Sequence, residues 1–217
     1  MRESLDAKKR RAGLILKNLE RAYPGATIAL HFSTPLELLV ATILAAQCTD
    51  ERVNMVTPAL FQKYRTAEAY ARADPATLEN EIRSTGFYRA KARSIIGMAK
   101  ALVERHGGEV PRRRDELTRL PGVGLKTANV VRGNAFGEPA IAVDTHVLRV
   151  TKRLALATAD DPDRVHDQLA EALPRPKWTR ACHLTQAHGR RTCTARNPGC
   201  PVCPVRALCP WPGKTRA

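Results

Sequence analysis

The stretch Leu120-Pro121-Gly122-Val123-Gly124-Leu125-Lys126-Thr127-Ala128-Asn129-Val130-Val131 lies between a short helical pattern around Asp115 to Arg119 and a second helix beginning near Leu125. Two glycines this close suit a tight turn. Without a Cβ the backbone can approach a ligand closely, and free N–H groups at the start of the next helix offer an anion site. An ordinary interhelical turn satisfies the same spacing. Lys126 falls in the first turn of that helix, where the positive end of the helix dipole disfavours a second positive charge. This position predicts an amine less basic than a free lysine, as a nucleophilic lysine requires. A phosphate-binding or merely solvated lysine fits the position too.

Working outward, the periodicity is helical nearly everywhere. Leu36, Leu39, Val40, Ile43 and Leu44 follow the i, i+3, i+4, i+7, i+8 pattern. A capping box opens it, with Thr34 as N-cap, Pro35 as N1 and Glu37 as N3. Tyr88, Ala92, Ile95, Ile96, Ala99, Leu102 and Val103 repeat the stripe up to Gly107 and Gly108. Leu14, Ile15 and Leu19 mark an N-terminal helix, Asp74 and Pro75 open a short one, and two more run through Val165 to Leu173 and Trp178 to His188. Only Ala140 to Val143 reads as extended, too short to build a sheet. Asp144 follows it and precedes Val147, Leu148 and Val150, so it is read as an N-cap. A capping carboxylate held by backbone N–H groups suits the stabilisation of positive charge forming nearby. The fold class expected is all-α.

Lysine and arginine number 36 against 21 acids, a net charge of +15, and such a surplus points to a polyanionic partner. A solvated basic surface or an RNA binder fits the charge equally well. No run is long and apolar enough to cross a bilayer, and the opening MRESLDAKKRR lacks the core of a secretory signal. A cytoplasmic protein is therefore expected. Cys193, Cys200, Cys203 and Cys209 fall within 17 residues, on a segment rich in proline and glycine that needs something central to fold around. Four thiolates accept zinc or an iron–sulfur cluster alike. Cys48 and Cys182 lie in helix-like sequence without an assigned role.

Taken together, LAAQCTD (44–50), STGFYRAKA (84–92), the glycine hairpin, VDTH (143–146) and the cysteine loop occur in the order found in the endonuclease III family of helix-hairpin-helix DNA glycosylases, and the chain resembles that family over nearly its whole length. The resemblance implies two docked helical domains flanking a DNA-binding cleft. One, residues 28–138, is a six-helix barrel carrying the helix-hairpin-helix; the other joins 1–27 to 139–217 around a 4Fe-4S cluster held by the four cysteines. It implies Lys126 as a nucleophile forming a Schiff base with deoxyribose C1′, Asp144 as the paired catalytic aspartate, and base flipping. Gly122, Val123 and Gly124, with Thr145 and His146, are expected at the DNA. Gln47 is expected to fill the vacated hole and Phe87 to wedge the opposite strand. A helix-end polar residue and a core aromatic are the plainer readings of those two.

Arg196 is the one charged residue of Thr194 to Gly199 and is expected at the backbone. Arg112, Arg113, Arg114, Arg190 and Arg191 supply further positive charge, or simply solvated faces. The expected partner is double-stranded DNA containing damaged pyrimidines or abasic sites, bound by a nucleoid-associated monomer with no membrane involvement. Two other functions fit parts of the chain. A non-catalytic iron–sulfur DNA-binding protein would need neither Lys126 nor Asp144. An adenine mismatch glycosylase would carry an acid between Leu39 and Gln47, where this chain has none.

Overall fold

The computed structural model describes residues 3–215, and helices are the only regular elements among them. The chain divides into two compact units, Ile28–Glu138 and a discontinuous unit made of the segments on either side of it. The discontinuous unit opens with helix α1 (Leu5–Ala22), capped by the Ser4 side chain. Its inward stripe is Ala12, Ile15 and Leu19. Leu14, which the periodicity places with them, is 53% exposed because it is rotated off that stripe.

The middle unit contains α2 (Pro35–Leu44), α3 (Asp50–Lys63), α4 (Ala67–Ala71), α5 (Pro75–Glu81), α6 (Tyr88–His106), α7 (Arg114–Leu117) and α8 (Leu125–Ala135). Four successive starts are set by capping side chains. Thr34, Thr49, Thr66 and Asp74 each accept the backbone N–H three residues on, at 3.2, 3.2, 3.2 and 2.8 Å, and a cap of this type contributes about 1 kcal/mol. The box at α2 closes one residue earlier than its sequence implies. The Glu37 carboxylate accepts from Ser33 N–H at 2.6 Å, because the extended backbone at Thr34 brings that amide within reach.

The core of this unit centres on Leu38, Leu39, Leu44, Ile95, Met98 and Leu102. Val103 lies on the outer side of α6 and is 37% exposed, unlike the stripe to which its spacing assigned it. Gly107 ends α6 in the left-handed region at φ 60°, and Gly108 N–H donates back to Leu102 C=O at 3.0 Å. This is the closure that satisfies the last carbonyls of a helix.

Helices α9 (Thr145–Arg153), α10 (Pro162–Ala172) and α11 (Trp178–Arg191) complete the discontinuous unit. Its core joins Ile15 and Leu19 of α1 to Val147, Val150, Leu169 and Leu184. Arg11 of α1 donates to Leu154 C=O at 2.6 Å and to Leu208 C=O at 3.3 Å, binding α1 to the end of α9 and to the C-terminal loop. The Ala140–Val143 segment pairs with no strand. Thr179 of α11 instead accepts from Ala140 N–H and donates to its carbonyl, which meets the hydrogen bonds of buried backbone without a ladder.

Candidate functional site

In the middle unit, α7 and α8 are joined by the glycine hairpin, and its two glycines do different things. Gly122 has φ +75°, and a Cβ there would sit 2.7 Å from the Ser94 Cβ of α6. Only glycine fits. Gly124 is extended (φ −88°, ψ 177°), and a Cβ on it would meet nothing within 4 Å. The sequence gives both residues the same weight; the structure requires only the first. Val123 is 6% exposed, and its N–H donates to Leu120 C=O at 3.1 Å, so its side chain anchors the turn in the core. Gly124 caps α8 without a side chain to accept the first-turn amides, which leaves those donors for an anion. Lys126 is the second residue of α8 and is exposed.

Elsewhere in the same unit, Gln47 (φ 51°) and Phe87 (φ 48°) are non-glycine residues in the left-handed region. Both are exposed. Phe87 is 67% exposed, which rules out the reading of it as a core aromatic. Holding a bulky residue in that conformation costs on the order of 1–3 kcal/mol and persists only where its surroundings enforce it. Lys91 of α6, to which the sequence drew no attention, donates to the carbonyls of Leu44 and Thr85 just ahead of these two residues, at 2.7 Å each.

In the discontinuous unit, Asp144 caps α9. One carboxylate oxygen accepts Val147 N–H at 2.7 Å and the other accepts the Gln186 amide of α11 at 3.1 Å. The sequence identifies the cap from its position; Gln186 is invisible to it because the two meet 42 residues apart. Thr145 is exposed at the first position of α9. His146 follows, with Nδ1 3.2 Å from the Arg149 guanidinium. Burial holds the His146 pKa below the usual histidine range, Arg149 and Arg190 act in the same direction, and Asp144 opposes them. The balance of these effects favours the neutral ring.

The four clustered cysteines line one recess, together with Arg153, His188 and Trp211. All four thiols are free. Among the described residues, no three His, Cys, Asp or Glu side chains are gathered as a single metal ion would require. Four thiols on one recess are a donor set that zinc and an iron–sulfur cluster both accept.

The loop is gripped by α9. Arg149 donates to Gly189 C=O and Cys193 C=O at 2.9 and 3.1 Å. Arg153 donates to Cys193 Sγ at 3.3 Å and to Thr194 C=O and Ala195 C=O at 2.7 and 2.8 Å. Its guanidinium lies over the Trp211 ring at 4.2 Å. Arg196 stands exposed on the loop so held. Of the remaining arginines, Arg113 pairs with Asp115, Arg112 lies over Phe136 and Arg191 over Tyr23. Cys182 is buried, and burial pushes its thiol up to about 12, which makes it inert. Cys48 is half-buried in the turn after α2.

Residues 40–175 match the model of the HhH-GPD superfamily base excision DNA repair protein. The chain is 52% identical to endonuclease III of Synechocystis sp. over 205 residues, 94% of each chain. It is also similar to two solved structures. A non-covalent endonuclease III–DNA complex has a TM-score of 0.88, and a trapped endonuclease III–DNA covalent intermediate has one of 0.89. Each is 47% identical to this chain, with 93% of this chain and 95% of the other covered.

Proposed function

The chain belongs to the endonuclease III family of HhH-GPD base excision DNA repair proteins, and we propose that Lys126 is the nucleophile of its glycosylase and abasic-site lyase reaction, with Asp144 as the paired carboxylate. The Lys126 amine attacks deoxyribose C1′, the bond from C1′ to the damaged base breaks, and the base leaves with a proton. The C1′–O4′ bond then opens, O4′ leaving as a hydroxyl, and the lysine nitrogen is joined to C1′ as an imine; this acidifies C2′, and loss of a C2′ proton expels the 3′ phosphate and cuts the strand. The Asp144 carboxylate, fixed in orientation by Val147 and Gln186, stabilises positive charge developing on the sugar.

The observation that carries this reading is an exposed amine in the first turn of a helix with no side-chain cap, directly behind a hairpin whose Gly122 is pressed against Ser94. A similar protein trapped as a covalent DNA intermediate supports it. The partner is double-stranded DNA carrying a damaged base or an abasic site, bound by a monomer. The sugar carbon of a stacked nucleotide is out of reach, so the target is flipped, with Phe87 as wedge and Gln47 in the vacated space. Family resemblance supports damaged pyrimidines as the bases removed. The hairpin backbone from Gly122 to Gly124, with Thr145, His146 and Arg196, completes the DNA contact.

Cys193, Cys200, Cys203 and Cys209 would hold a 4Fe-4S cluster, for which four thiols lining one recess and the chain's family membership speak. Bound there, the cluster supplies a structural centre for the loop that presents Arg196. The absence of an acid between Leu39 and Gln47 tells against adenine mismatch repair.

The test is borohydride trapping on duplex DNA with an abasic site. Wild type is expected to form a covalent adduct and Lys126→Ala none. Tight binding by wild type with no adduct at all would mark a scaffold instead of an enzyme.

A further inference from the structure

Lys91 is the fourth residue of α6 and is 5% exposed. An ammonium so buried is tolerated only where acceptors meet its donors. Its two acceptors are backbone carbonyls and not acids: Leu44 and Thr85, each at 2.7 Å. Burial holds the Lys91 pKa below the ordinary lysine value, with Cys48 opposing. A positive charge near the start of a helix is also disfavoured by the helix dipole. Against these costs stand two charge-assisted hydrogen bonds, one of them to a carbonyl at a helix C-terminus.

What the lysine joins explains its presence. Leu44 is the last residue of α2, and its carbonyl is among those that the helix leaves open. Thr85 ends the 3-10 turn Arg83–Thr85. Gln47 stands three residues after the first carbonyl, and Phe87 stands two after the second. These two, with Ala155, are the non-glycine residues of positive φ among those described. One ammonium thus ties together the two segments that carry the strained, exposed side chains.

We propose that Lys91 is a positioning residue for damage recognition, clamping the Gln47 and Phe87 segments to each other so that the two side chains enter the duplex as one preformed unit. The clamp rests on the reading of Gln47 and Phe87 as the residues that enter DNA. It supplies the enforcement that two left-handed residues need, and it spares the protein from ordering two loops during binding.

Lys91→Met keeps length and removes the donors. On duplex DNA containing an oxidised pyrimidine, its single-turnover base release is expected to fall at least tenfold. Borohydride trapping on single-stranded abasic DNA, which needs neither wedge nor plug, is expected to stay within twofold of wild type. Lys91→Arg, whose guanidinium still offers donors to both carbonyls, is expected to restore most of the duplex activity. In a Gln47→Ala, Phe87→Ala background, Lys91→Met is expected to add no further loss.

The inference is overturned if folded Lys91→Met or Lys91→Arg protein contradicts these expectations on the duplex, or if the loss persists undiminished in the double-alanine background. Should Lys91→Met not fold, Lys91→Gln, neutral and too short to reach both carbonyls, takes its place in the wild-type and double-alanine backgrounds with the same expectations. A double-alanine protein with wild-type duplex activity would instead sink the underlying reading of Gln47 and Phe87, and the clamp with it. Failure of the clamp alone looks different: the double-alanine protein loses duplex activity and Lys91→Met does not.

Discussion

Gly122 and Gly124 look interchangeable in the sequence, and substitution separates them. Gly122→Ala must hold φ +75° and push a Cβ into Ser94, so it is expected to lower stability by about 1–3 kcal/mol. Gly124→Ala meets open space in an ordinary conformation and is expected to leave the urea midpoint almost unchanged. Equal losses in the two variants would refute this account of the turn. At this scale, what the sequence discloses is whatever a residue does to its own neighbours. Asp144 is recognisable as a cap because its acceptor role lies three residues away. Gln186 and Lys91 are not, since their partners lie 42, 47 and 6 residues off and depend on how helices pack. Phe87 is intermediate: the sequence leaves core and wedge open, and exposure removes the core reading alone.

Helices were the most legible layer, because Thr, Asp and Pro at the starts and glycine at the stops act locally. The errors are rotational. Leu14 and Val103 sit one step outside the buried arc, a displacement that period counting cannot resolve. Helix α11 brings a testable property of its own. Burial, assisted by the Arg180 charge, holds His183 below the usual histidine pKa. As pH falls through about 6.5, the unfolded chain takes up a proton that the folded chain refuses, so folding weakens toward acid until the lowered folded value is passed. Thermal melts between pH 7 and 5 are expected to show a shallower decline for His183→Gln than for wild type. Parallel curves would remove His183 from the explanation.

Across the whole molecule, the +15 charge makes DNA affinity a matter of counterion release, falling linearly in log–log terms with salt. Arg196 is exposed on a loop fixed by Arg153. Arg196→Ala is expected to weaken binding to damaged and undamaged duplex alike and to reduce the salt slope by about 1. An unchanged slope would take Arg196 off the phosphate backbone. The division into Ile28–Glu138 and a unit built from both flanks bears on how the protein is made. Ribosomes release the middle segment while the C-terminal third is still unwritten, and domains fold as units at about 5–20 residues per second of synthesis. Ile15 and Leu19 must therefore wait for Val147, Leu169 and Leu184 to emerge, holding an apolar stripe in water for on the order of ten seconds or more on every nascent chain, which is the interval in which a chaperone would have something to grasp.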